Sequence, residues 1–85
     1  MNKKGMSSIY PELEKCCGKF FDEKDKSYSF PLMVGWSGSD RESANWFKYE
    51  KIPALGEKTG MEVCRNNQQR DFIHYIRHIE NEGFA

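Results

Sequence analysis

Gln69, Phe72, Ile73, Ile76 and Ile79 recur at helical spacing and make one apolar stripe, with Tyr75 at its edge. The flanks agree with a helix there. Asn66 is a candidate N-cap, with Gln69 three residues on as the return partner of a capping box. Asp71 sits early and Arg77 and His78 sit late, as the helix dipole favours. Gly83 suits a left-handed C′ position, with Phe84 as C″ over Ile79. A helix with one apolar stripe must be covered, so the rest of the chain has to supply a core for it.

Eighty-five residues make one small domain. Thirteen basic and thirteen acidic side chains cancel. That balance weighs against nucleic-acid coating and against a polybasic membrane surface, both of which draw affinity from uncompensated positive charge. Three cysteines, two of them adjacent (Cys16, Cys17 and Cys64), are a poor disulfide framework for a secreted mini-protein. The start of the chain has charge without an apolar run behind it, and no segment is long and apolar enough to span a bilayer. These features predict a cytoplasmic setting.

The expected organisation is a basic tail over 1–7 and a single domain over 8–85. A first helix is expected from Ser8, with Pro11 in its first turn and Leu13, Cys16, Cys17 and Phe20 on its apolar face. Residues 22–27 read as a charged connection. Tyr28, Phe30, Leu32, Val34 and Trp36 then alternate with other residues, a strand pattern in which Pro31 marks an edge. Ser39-x-x-Glu42 is a capping box, but Trp46-Phe47-Lys48-Tyr49 has high strand propensity and its apolar residues form no stripe. The reading is a helical turn or loop at 39–44 and a strand at 45–51. After a turn at 56–60, a third strand at 61–64 leads to the final helix. The predicted fold is α+β in the order α-β-β-β-α, a small antiparallel three-stranded sheet flanked by two helices.

Motifs that carry chemistry are few. His74 and His78 are four apart with Asp71 one turn before them, yet all three fall opposite the apolar stripe, and the paired cysteines of a zinc site are missing. Gly35-Trp36-Ser37-Gly38-Ser39 lacks the last glycine of a nucleophile elbow and the large sheet that elbow serves. No phosphate-binding glycine pattern occurs. The cysteines have no base paired to them in sequence and read as small buried hydrophobes. No metal, cofactor or catalytic residue is therefore expected.

The remaining feature is aromatic. Two Trp, four Tyr and six Phe exceed what two helices packed on one sheet face would cover. Trp36, Arg41, Trp46, Lys48 and Tyr49 are the expected anchors and rim of a partner-binding surface, since Trp, Tyr and Arg dominate such surfaces. The expectation is a non-enzymatic protein–protein interaction module, an inhibitor or adaptor of the kind phages and other mobile elements encode, able to form a homodimer through an edge strand. The alternative is a single-stranded nucleic-acid binder that stacks bases on the aromatics of 46–49.

Overall fold

The computed structural model describes residues 9–82. The expected basic tail and the Gly83–Phe84 helix ending lie outside that range. Helix α1 spans Pro11–Cys17 and runs into a 3₁₀ turn at Gly18–Phe20. Helices α2 (Glu23–Ser37) and α3 (Asp40–Tyr49) follow. A hairpin of two very short strands, β1 (Lys51–Ile52) and β2 (Lys58–Thr59), surrounds a second 3₁₀ turn at Pro53–Leu55. Helices α4 (Gly60–Arg65) and α5 (Gln69–Glu82) close the described chain.

The α+β expectation is thus overturned. The domain is mostly helical, and the one sheet among the described residues pairs Lys51 with Thr59 and Ile52 with Lys58, antiparallel. All three expected strands fall largely or wholly in helices, and helix caps explain why. Asp22 accepts the Asp25 amide at 2.8 Å and Gly38 (φ +104°) ends the helix, so 28–36 lies inside a framed fifteen-residue helix. Ser39 accepts the Glu42 amide at 3.0 Å and starts α3 through the segment expected as a strand. Thr59 and Glu62 form a complete capping box, which turns 61–64 into α4.

Helix α2 is covered on more than one side, which is why it shows no single stripe. Ser29, Phe30 and Met33 enter the core. On another side Tyr28 donates to the Glu80 carboxylate of α5, and the Arg77 guanidinium lies 4.7 Å from the Tyr28 ring centroid. Apolar residues spread round a helix mimic strand alternation over a short window. Pro31 is on the exposed side, where water can satisfy the Ser27 carbonyl that the proline leaves without an amide. It marks no strand edge.

Helix α1 has no capping side chain of its own at Tyr10. Asp40, at the start of α3, supplies one from across the fold, accepting from the Glu12 amide at 2.7 Å and the Leu13 amide at 3.0 Å. A carboxylate there also suits the positive end of the α1 dipole. Lys26 of α2 bridges to Glu14 of α1 at 2.8 Å, and that hydrogen bond raises the lysine pKa. Between α4 and α5 the expected Asn66 cap is displaced. Asn66 ends α4, Asn67 takes a left-handed conformation (φ +62°), and the Gln68 and Asn67 amides reach back to the Val63 and Cys64 carbonyls.

The core is built on phenylalanine. The rings of Phe47 and Phe72 meet edge to face at 5.1 Å, and Phe21 contacts both and Phe30 as well. Leu13, Cys17, Met33, Ala44, Ile52, Val63, Cys64, Ile73 and Ile76 complete it. Gly60 opens α4 directly against this cluster. A Cβ at that position would lie 2.6 Å from the Phe47 ring and 3.1 Å from the Phe72 ring. Gly35, by contrast, faces open space within α2. Gly60→Ala should therefore destabilise the fold by about 1–3 kcal/mol through overpacking. Gly35→Ala should stabilise it by about 0.5–1 kcal/mol through helix propensity. Urea denaturation of the two variants checks both signs. Asp40→Ala should cost about 1 kcal/mol by removing the α1 cap, and should increase amide exchange at Glu12 and Leu13 more than elsewhere.

Candidate functional site

Two surface features stand out, a face of α3 and a groove beside α5. The capping of α3 by Ser39 sets its rotation. Ser43, Ala44 and Phe47 go into the core, which sends Arg41, Asn45 and Tyr49, spaced four apart, along the exposed side. Tyr49 is 72% exposed and shares that distinction among the described large hydrophobics only with Ile9. The Lys48 ammonium lies 5.4 Å from the Tyr49 ring centroid.

Three of the five residues expected at a partner surface, Arg41, Lys48 and Tyr49, thus lie on α3, Arg41 in its first turn and Lys48 and Tyr49 in its last. The tryptophans do not join them. Trp46 turns to the flank of the helix, its ring 6.1 Å from that of Phe72 and half-buried. Trp36 closes the last turn of α2 and packs against the core. The base-stacking platform of a strand through 45–51 does not form, because Phe47 is fully buried and Trp46 is spent on packing. The argument for a dimer through an edge strand falls with the strand.

The groove has a cavity volume of about 500 Å³. Ala54 and Leu55 of the hairpin turn and Val63 of α4 supply apolar wall, facing Tyr75 on α5. Asp71, His74 and His78 line its α5 side, and Lys58 borders it from β2. The histidines are exposed, as the stripe predicted, but they edge a concavity that sequence spacing alone could not show. Among the described residues no group of three His, Cys, Asp or Glu side chains could hold a metal ion. The groove therefore presents a mixed apolar and ionisable wall.

The Gly35–Ser39 stretch acts as punctuation. The Ser37 hydroxyl donates to the Met33 carbonyl and so receives the proton of Ser43 at 2.6 Å, which joins the end of α2 to α3. Gly38 and Ser39 are the helix end and the next helix start.

The three thiols are free, with Cys17 and Cys64 buried and Cys16 partly exposed. Burial pushes the Cys64 thiol up to about 12. No described helix is long and apolar enough to cross a membrane. Comparison with protein-family models, with curated proteins and with solved structures finds no match to this chain.

The two sides of α5 predict opposite mutational outcomes. Ile76 is fully buried at the centre of the stripe, so Ile76→Ala should cost about 2–5 kcal/mol. His74→Ala and His78→Ala should each change stability by no more than about 0.5 kcal/mol. Thermal midpoints of the three variants provide the check, and a large loss at either histidine would mean the groove wall bears on the fold.

Proposed function

We propose that this chain is a non-enzymatic protein-interaction module, an inhibitor or adaptor, that engages its partner through the exposed side of α3. The observation that carries this reading is Tyr49, a large aromatic side chain left 72% exposed on a well-framed helix whose other aromatics pack inward. Tyrosine and arginine are, with tryptophan, the side chains enriched at interface hot spots, and both stand on this stripe. The partner it suits is a folded protein with a pocket for the Tyr49 ring, rimmed by acceptors for the Arg41 guanidinium. Lys48 would border that pocket and act mainly on association rate and salt dependence. A second copy of this chain belongs to the same class of partner, and light scattering at tens of micromolar distinguishes it.

Tyr49→Ala should leave the thermal midpoint within about 2–4 °C, since an exposed side chain contributes little to folding. It should weaken partner binding by about 2 kcal/mol, roughly 30-fold in Kd. The experiment is affinity capture with the native chain and with Tyr49→Ala in parallel, followed by titration of the purified partner. A partner that binds both proteins equally sinks the assignment of this face, and the absence of any protein held by the native chain alone counts against the function itself.

A further inference from the structure

The groove beside α5 gathers basic groups that no acid of the fold neutralises. Residues 71, 74, 75 and 78 recur at helical spacing, so one wall carries Asp71, His74, Tyr75 and His78 in that order along α5. Asp71 and His78 stand about 10 Å apart by helical rise. The acid therefore marks one end of the wall, and the imidazoles occupy its middle and its other end. Lys58 approaches from β2. Both ion pairs among the described residues are made by Lys26, so Lys58, His74 and His78 have no carboxylate partner there.

The surface between these groups is apolar and held in place. Val63 is anchored in the core, and Ala54 and Leu55 stand in the 3₁₀ turn at Pro53–Leu55. That reversal is fixed by the Gly56 amide on the Pro53 carbonyl at 3.1 Å and the Glu57 amide on the Ile52 carbonyl at 3.0 Å. Both amides are spent inside the turn, which leaves no nest of backbone N–H groups of the kind that holds a phosphate. Burial raises the Tyr75 phenol, which keeps it neutral and able to donate a hydrogen bond. A cavity of about 500 Å³ is the size that takes a small organic molecule.

We propose that this groove binds a small amphipathic monocarboxylate, an anion with an aryl or branched-alkyl body. The body lies over Leu55, Val63 and Tyr75. The carboxylate points away from Asp71 and towards His74 and His78, and Lys58 adds positive charge from across the groove. Asp71 repels a second acidic group and so selects against dicarboxylates and fixes the orientation of the ligand. Contacts between exposed charges are weak in water, so the apolar wall supplies most of the affinity and the charges supply the selectivity. No residue of α3 lines the groove, and the site stands apart from the Arg41–Tyr49 face.

The test titrates the isotope-labelled chain, at fixed pH and low ionic strength, with 3-phenylpropionate, its neutral amide and the cationic 3-phenylpropylamine. Amide chemical shifts read the place and the strength of binding. The expected result is saturable shifts centred on residues 54–58 and 71–78, with the carboxylate at least about threefold tighter than the amide and the amine weakest. Lys58→Gln and His78→Gln, each confirmed as folded by circular dichroism, should together remove the preference for the carboxylate, whereas Asp71→Asn should strengthen it. If the Lys58 and His78 variants do not fold, high salt on the native chain must narrow the preference instead. Tyr49→Ala should bind 3-phenylpropionate as the native chain does, which separates this site from the α3 face. Absence of saturable shifts, shifts centred outside the groove, or an amide or amine bound as tightly as the carboxylate overturns the proposal. So does a carboxylate preference that survives loss of Lys58 and His78 or high salt.

Discussion

The distance at which the start of α4 can approach the Phe47 ring governs the rest of the molecule. Gly60 permits that approach, and a single methyl group there would collide with Phe47 and press on Phe72. Because α4 sits so close, Val63 and Cys64 reach the core and α5 follows with Phe72, Ile73 and Ile76. The hairpin that delivers Gly60 has only two pairs of residues in register. It aims α4 and contributes little sheet of its own. Interiors are packed at crystal-like density, so a cluster of edge-on rings around a glycine has little room to adjust.

How much of this was legible in the sequence varies by element. The stripe of α5 was readable because one side of that helix is buried and the opposite side is not. Its start was misplaced, since Asn66 and Asn67 end the previous helix through a left-handed residue that also satisfies its last carbonyls. The middle of the chain was misread where strand propensity was weighed above caps. Ser39 and Glu42 stand three apart at the start of α3, and Thr59 and Glu62 stand likewise at the start of α4. These short-range hydrogen bonds outcompete the β preference of Trp46 to Tyr49, which came from side-chain shape alone. Helix α2 was the hardest, because Tyr28 is claimed by α5 while Phe30 and Met33 are claimed by the core.

The surface was legible in part. Arg41 and Tyr49 follow from the rotation of α3 once its cap is known, whereas both tryptophans were lost to packing that depends on contacts distant in the chain. The groove needs the 53–58 turn to lie against α5, and the contact of the Cys16 thiol with the Ala44 carbonyl needs α1 to lie along α3. No local pattern encodes either juxtaposition. The cysteines read as interchangeable small hydrophobes in the sequence, whereas the fold leaves Cys16 partly exposed and buries Cys17 and Cys64.

The cap that Asp40 lends to α1 bears on the order in which the domain assembles. A seven-residue helix is too short to nucleate alone in water. Its amide hydrogen bonds at Glu12 and Leu13 exist only after Ser39 and Asp40 have taken their places at the head of α3. Helix α1 is thus a dependent part of the α3 unit, unable to open or close on its own account. The two should rise and fall as one cooperative block, and because α3 carries Phe47 that block includes part of the phenylalanine cluster.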